Sequence, residues 1–340
     1  MKKHQYSVAI VGATGAVGEQ MREVLEERAF PVGELRLLAS ERSAGQFLEF
    51  QSRRLRIEVL RENSFEGVDI ALFSAGRLVS EKFAPQAVAS GSIVIDNSPQ
   101  FRMDADVPLV VPEVNVAEIA RYRERGIIAN PNCSTIQMVV ALKPIHDAAR
   151  IRRVVVSTYQ SVSGAGRMAM EELSQQSIAI FNGRDINRQK FPYQIAFNCI
   201  PHIDLFLDNG YTKEEMKMVH ETHKILGDPS IGITATAVRV PVFCGHSESV
   251  NVETANKLTA AQVKAILREA PGILLCDEPE SAVYPMAIDS VGQEATLIGR
   301  IREDESIANG INLWIVADNL RKGAALNAVQ IAEILIRDYL

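Results

Sequence analysis

Cys133 stands in the string NPNCSTIQ, just ahead of an amphipathic run, and His246 follows in VFCGHSESV. A thiol at the start of a helix meets the unpaired N–H groups of the first turn and the positive end of the helix dipole, and both favour the thiolate. The thiolate is the form that attacks carbonyls, and a histidine, whose ordinary pKa lies near neutrality, can serve beside it as acid or base. The polar flank of Asn132, Ser134 and Thr135 argues against the usual alternative, a structural cysteine in an apolar pocket. Cys244 lies two residues before His246, and on one extended strand both would project to the same face, but no helix start follows it.

A second chemical feature lies near the N-terminus. GATGAVG spans Gly12 to Gly18, with Thr14, Gly15, Ala16 and Val17 between, and reads G-x-x-G-x-x-G after a β-branched run, Ser7 to Val11. Glycines there allow a tight turn and a close approach of the backbone to a pyrophosphate, whose charge a helix N-terminus favours. At the end of the second apolar run, ELRLLASERSAG offers Ser40, Arg42 and Ser43 in place of the acidic residue that would accept a ribose hydroxyl. Arg42 suits a 2′-phosphate, hence NADP(H), if Glu41 faces away; the alternative is a solvated loop arginine. A dinucleotide loop with a nucleophilic thiol points to an enzyme that holds an acyl group covalently and moves a hydride to or from it.

The elements that must carry these groups follow from periodicity. GEQMREVLEER places Val17, Met21, Val24 and Leu25 on one helical face, and the apolar runs ELRLLAS, RIEVL, VDIALFSAG, SIVIDNS and LVVPEVN recur with helical stretches such as SEKFAPQAVAS. That alternation predicts a parallel, doubly wound sheet. From Arg152 the runs VVVSTYQSVSG, ITATAVRVPVFCGHSESVNVET and ATLIGRIRED predict a second domain with a mixed or antiparallel sheet. The last helix, with Ala325, Val329, Ala332 and Ile336 on one side, is expected to return to the first domain.

Composition bounds the partners. With 340 residues and 47% hydrophobic content, two domains are expected. A net charge of −6 spread along the chain leaves no footprint for nucleic acid. Cys133, Cys199, Cys244 and Cys276 lack metal or disulfide spacing, so a reducing cytoplasm fits and no metal is expected. His220 and His223 in HETH do not match the spacing of a zinc helix. Lys2 and Lys3 before an apolar stretch resemble a signal peptide, but Gly12, Thr14, Gly15 and Gly18 break the run, and the chain is read as soluble and unprocessed.

Taken together and in order, NPNCSTIQMVVALKP, STYQSVSGAG, RVPVFCGHSESVNVE and DNLRKGAALNAVQIAE resemble the aspartate-semialdehyde dehydrogenase family, bacterial type, from the glycine loop to the last helix. The resemblance implies an α/β fold: a Rossmann-like doubly wound NADP-binding domain over residues 1–130, completed by a C-terminal helix over 319–340, and an α+β catalytic and dimerisation domain with a mixed sheet over 131–318. It implies reductive dephosphorylation of L-aspartyl 4-phosphate by NADPH, a step that feeds lysine (through diaminopimelate), methionine, threonine and isoleucine synthesis, in a homodimer. Cys133 is then the nucleophile, His246 the acid/base and Gln160 the substrate-orienting glutamine, while Asn132 helps bind phosphate or hold the oxyanion.

Further roles follow from the same resemblance. Arg239 takes the substrate carboxylate, which its guanidinium fork suits. Arg102 and Lys217 bind phosphate, and Glu214 meets the ammonium. Glu214 and Lys217, three apart on an expected helix, otherwise read as an ordinary surface ion pair. Ser163, Gly164 and Asn319 match positions near the nicotinamide half of the cofactor. Arg77 after Gly76 departs from the small residue expected there, and no role is assigned to it. Three rivals remain at this stage: N-acetyl-glutamyl-phosphate reductase, a hydrolytic aldehyde dehydrogenase, and a non-catalytic homologue that keeps the dinucleotide fold.

Overall fold

The structure is a computed structural model that describes residues 3–340; Lys2, half of the basic pair considered above, lies outside the described residues. The chain divides into two compact units, one of residues 1–132 with 324–340 and one of residues 133–323. The main helices are α1 (Ala16–Glu27), α2 (Arg77–Ala89), α3 (Cys133–Ala149), α4 (Arg167–Phe181), α5 (Lys213–Leu226), α6 (Ala260–Glu269) and α7 (Leu326–Asp338). The return to the first unit begins at Ala324 and not at 319, because the intervening residues are bonded and packed within the second unit, as described below.

In the first unit β1 (Tyr6–Val11), β2 (Val32–Ala39), β3 (Phe47–Phe50), β4 (Arg53–Val59), β5 (Ile70–Phe73), β6 (Ile93–Asp96) and β7 (Ile127–Ala129) form one sheet in the order β3-β4-β2-β1-β5-β6-β7. All its pairs are parallel except β3 with β4. A parallel strand covered on both faces reads as an unbroken apolar run, and Ile70–Phe73 is buried at every position. LVVPEVN adds no strand, contrary to expectation: Leu109 makes an isolated bridge to Ala129, and Pro112 opens a helical turn, Pro112–Asn115. Proline suits the first helical position and has no N–H for a ladder. β3 and β7 are too short to show a period. α7 buries Val329 and Ala332 in the same core as Met21, Val24 and Leu25 of α1, and a two-bond ion pair from Arg28 to Glu333, 2.8 Å in each arm, ties the two helices.

In the second unit β8 (Ile151–Gln160), β9 (Gly232–Arg239), β10 (His246–Thr254), β11 (Ile273–Leu275), β12 (Thr296–Asp304) and β13 (Gly310–Ala317) form a mixed sheet in the order β11-β12-β13-β10-β8-β9. The long run from Ile233 to Thr254 is two strands. It breaks after Arg239, and the loop ends at Gly245, whose φ of 88° only glycine adopts readily. β9 runs parallel to β8 and β10 antiparallel to it. α3 packs Met138, Ala141, Leu142 and Ile145 against Val154, Val156, Val250 and Val252 of the sheet. α5 starts with a capping box between Thr212 and Glu215, and the second oxygen of Glu215 accepts the Ala237 amide at 2.9 Å, which pins the helix start to β9. No helix among the described residues is long and apolar enough to cross a membrane.

The glycine loop yields a stability test. A Cβ on Gly18 would lie 2.2 Å from the Gly12 carbonyl oxygen, whereas one on Gly15 would meet nothing closer than 3.4 Å. In urea melts Gly18→Ala is expected to lose about 1–3 kcal/mol and Gly15→Ala less than about 1 kcal/mol.

Candidate active site

α3 begins at Cys133 itself, so the thiol sits where the helix dipole favours an anion. Asn132, buried, precedes it directly. A Cβ added to Gly323 would come within 2.8 Å of the Cys133 Cβ, so the turn Arg321–Ala325 can close on this cysteine only through a glycine. Cys244 does not share a strand face with His246: it lies in the preceding loop, and burial pushes its thiol up.

The ends of three strands meet beside this helix. Gln160 ends β8, Arg239 ends β9 in register with it, and His246 begins β10. All three side chains are buried. The Gln137 amide, one turn along α3 from Cys133, donates to the His246 carbonyl at 3.3 Å. Arg239 Nη1 donates to the Ser161 carbonyl at 2.7 Å. Burial pulls the Arg239 guanidinium below its ordinary value, while Glu214 and Cys133 lie near enough to act against that shift. His246 Nδ1 lies 3.1 Å from the Ser161 amide nitrogen and 3.0 Å from Ser161 Oγ. Burial first, and then Arg239, take the imidazole down to about 3, against the attraction of Glu214. A Cβ on Gly164 would stand 3.1 Å from His246 Nε2 and 3.2 Å from Arg239 Nη1, so this glycine borders both groups. Asn319 Oδ1 accepts from Ser161 Oγ at 3.0 Å, Ser163 Oγ at 3.1 Å and the Gly245 amide at 2.9 Å.

Glu214 and Lys217 form the expected pair, at 2.9 Å, but not on a solvated face, since Glu214 is buried. Gln160 Nε2 donates to Glu214 at 3.3 Å, and Asp204 accepts from Lys217 at 2.8 Å. Burial works against the Lys217 charge, yet Glu214 and Asp204 together hold its ammonium above the ordinary value. The second unit thus offers a thiol, an imidazole, a buried guanidinium, an amide, a carboxylate and an ammonium in one connected set.

The first unit places GATGAVG where β1 meets β5, the point at which strand order reverses. Gly12 has φ 90°, and a Cβ on it would be 3.0 Å from the main chain of Ser74 and Ala75 after β5. Ala16 and Val17 open α1. Thr14 Oγ1 bonds Ser43 Oγ at 3.4 Å, which brings the turn after β2 to the loop; Arg42 and Glu41 in that turn are both exposed. Arg102 is buried in this unit, where Nε donates to the Asn130 carbonyl at 3.0 Å and Nη2 to that of Asn97 at 2.7 Å.

Comparison with known proteins gives this arrangement a lineage. Residues 7–122 match the model of the semialdehyde dehydrogenase NAD binding domain, and residues 142–322 that of the semialdehyde dehydrogenase dimerisation domain. Aspartate-semialdehyde dehydrogenase 2 of Vibrio cholerae is 57% identical over 336 residues, 98% of this chain and 99% of its own. The crystal structure of aspartate semialdehyde dehydrogenase II complexed with ASA from Vibrio cholerae is similar with a TM-score of 0.97 and 57% identity, over 99% of this chain and 100% of that one. Aspartate semialdehyde dehydrogenase with NADP from Candida albicans is similar with a TM-score of 0.76 and 25% identity, over 97% of this chain and 98% of that one. The chain belongs to the aspartate-semialdehyde dehydrogenase family.

For a member of this family the second unit also holds residues that the sequence reading passed over. Asp204 lies in a loop at φ 68° with nothing periodic around it. Gly323 stands inside DNLRKG, where a glycine one turn after Asn319 was the available signal. Glu248, on the same face of β10 as His246, is fully buried. Burial pushes its carboxyl well above the ordinary range, and the nearby Gln137 amide works the other way without closing a hydrogen bond of good geometry to either oxygen. The alternation of HSESV gave no sign that a glutamate faces inward.

Glu248 makes stability depend on pH. The unfolded chain ionises this group at the ordinary glutamate value while the fold keeps it neutral, so its contribution is intact below that value and is lost as pH rises toward the folded one. Glu248→Gln is neutral throughout. Calorimetry should find its Tm, relative to the parent protein, rising steadily from about pH 5 to about pH 8.

Proposed function

We propose that this protein catalyses the NADPH-dependent reductive dephosphorylation of L-aspartyl 4-phosphate to L-aspartate 4-semialdehyde and phosphate, through a thioester on Cys133. The observation that carries the reading is the joining of the helix-borne Cys133 to Arg239, His246, Gln160, Glu214 and Lys217 in one polar set. The acyl phosphate is a strong electrophile, and attack by the Cys133 thiolate forms the S–C bond as the C–O bond to phosphate breaks. Bound NADPH supplies the hydride that reduces the thioester. The oxygen of the reacting carbon gains negative charge at each addition, and buried donors beside it, His246 among them, lower that barrier. Arg239 offers a fork for the α-carboxylate, Glu214 a partner for the ammonium, and Lys217 a charge for phosphate. Arg102 is the second phosphate candidate. Gln160, held by Glu214, orients the acyl group.

The cofactor fits the first unit because the tight turn that Gly12 and Gly18 permit, packed on its own backbone, sets the glycine loop at the start of α1, where a pyrophosphate would be favoured. Arg42, exposed beside the glycine loop, favours NADP over NAD, and Ser43 stands next to it. Ser163, Gly164 and Asn319 are the candidates for the nicotinamide half. A buried carboxylate at Glu214 favours an amino group in the substrate over the acetamide of an N-acetyl-glutamyl-phosphate reductase. A homodimer is supported by the match to a dimerisation domain and by exposed Phe181, Phe197, Tyr193 and Phe206 in that unit. A cytoplasmic location is supported by the four free cysteines, which suit a reducing compartment.

The deciding experiment runs the reaction backwards, following NADP reduction by aspartate semialdehyde with and without phosphate. Turnover should require phosphate, and Cys133→Ala should lower kcat by roughly four orders of magnitude or more; phosphate-independent turnover or an active variant would reject the mechanism. Arg42→Ala should raise KM for NADPH about tenfold and leave that for NADH nearly unchanged, and equal effects would remove the NADP assignment.

A further inference from the structure

We infer that Asp96 is a positioning residue for phosphate binding: its buried side chain shapes the loop from Asn97 to Phe101 and so sets the direction in which the Arg102 guanidinium meets the anion. The inference rests on the reading of Arg102 as a phosphate ligand and deepens it.

Asp96 is the last residue of β6, and the ladder to β5 and β7 ends with it. The loop beyond has no helix or strand to hold it. The carboxylate takes over that task. Oδ1 accepts the Ser98 amide at 2.9 Å and Oδ2 the Ser98 hydroxyl at 2.7 Å, which closes an Asx turn. Ser98 Oγ then accepts the Gln100 amide at 3.2 Å, so the same kind of turn is repeated two residues on. Oδ1 also accepts the Ser80 hydroxyl at 2.8 Å and thereby joins the loop to α2. Asp96, Ser80 and Ser98 are all buried. Arg77, unassigned from the sequence, adds an outer tie, since its Nε donates to Gln100 Oε1 at 2.8 Å.

The far end of the loop is Arg102, and two main-chain carbonyls grip it. Nη2 donates to that of Asn97 at 2.7 Å and Nε to that of Asn130 at 3.0 Å. Both acceptors are placed by Asp96. Asn97 follows it directly, with its amide and its Nδ2 each 3.0 Å from the Phe73 carbonyl, and the Asn130 amide donates to the Asp96 carbonyl at 2.8 Å. Phe101, next to Arg102, is buried with the Arg125 guanidinium 5.0 Å from its ring centre. A guanidinium held through Nε and Nη2 has its plane fixed, and recognition of an anion by such a planar group depends on that plane.

Shape, and not charge, is what Asp96 supplies. Burial pushes its carboxyl up, while the bonds from Ser98 and Ser80, and after them the Arg102 charge, act the other way. Its three hydrogen-bond donors are all neutral: one amide and two hydroxyls. An asparagine in the same place can keep every contact, with Oδ1 accepting the Ser98 amide and the Ser80 hydroxyl and Nδ2 donating to Ser98 Oγ. An alanine keeps none, and it leaves the buried Ser98 amide and Ser80 hydroxyl without the acceptor that held the turn.

The test follows NADP reduction by the full chain and measures KM separately for inorganic phosphate, aspartate semialdehyde and NADP. Asp96→Ala should raise KM for phosphate about tenfold and leave the other two within about twofold, and Asp96→Asn should restore the parent's value. Arg102→Ala should raise KM for phosphate about 10- to 100-fold. Asp96→Ala combined with Arg102→Ala should be no worse than Arg102→Ala alone, because the positioning residue then has nothing to position. Where circular dichroism shows that Asp96→Ala does not fold, Ser98→Ala replaces it in both comparisons; it removes one hydroxyl and keeps the Ser98 amide, and should raise KM for phosphate about threefold. Additive effects in the double variant, an equal rise in all three KM values, or an Asp96→Asn as poor as the alanine would overturn the role of Asp96. An unchanged KM for phosphate in Arg102→Ala would instead overturn the reading of Arg102, and the inference with it, so the two failures are told apart by that single variant.

Discussion

The pairing of β8 with β9 governs the catalytic unit. The two strands run parallel in an unbroken register from Arg153 with Gly232 to Gln160 with Arg239, and β10 starts antiparallel on the other side of β8. Three chemically different side chains therefore arrive at one end of the sheet by main-chain geometry. A slip of one residue would turn Gln160 and Arg239 to the opposite face and expose Val154 and Val156, which the core cannot give up. The apolar periodicity that stabilises the sheet thus also aims the polar ends, and α3 brings Cys133 to the same place by burying its far half on those strands.

Such a site concentrates charge where water is scarce. Arg239 and Glu214 are buried charges, and each is matched, Arg239 by the Ser161 carbonyl and the nearby Glu214, Glu214 by Lys217 and Gln160. Lys217, half-exposed, passes its charge outward to Asp204. The site thus grades from a shielded guanidinium to a partly hydrated ammonium.

The sequence made Cys133 and the glycine loop readable because each combines a residue type with a change of element, and such changes show in periodicity. The doubly wound first unit and the mixed second sheet were legible for the same reason, as was the return of α7. LVVPEVN misled because valine-rich runs look alike whether they end in a strand or in a proline-opened turn. Asp204 and Glu248 left no trace: the first lies in an irregular loop and the second is a polar residue on an inward face. The break between Arg239 and His246 hid inside one β-branched run, although Pro241 and Gly245 stood there to mark it.

Asn319 explains why the segment after β13 belongs with the catalytic unit. Its side-chain oxygen accepts from Ser161, Ser163 and Gly245, and its Nδ2 returns a bond to Ser163 Oγ at 2.9 Å, so the loops after β8 and before β10 are locked to one amide. The chain must then turn at once to reach α7, and it does so through the wide turn Arg321–Ala325 that presses Gly323 against Cys133. Donors held this firmly need no rearrangement when charge appears on the substrate oxygen, and in a buried site that avoided reorganisation is the main source of electrostatic catalysis. The same rigidity holds the imidazole, because the Ser161 amide and hydroxyl that meet its Nδ1 at 3.1 Å and 3.0 Å are themselves fixed by Arg239 and Asn319.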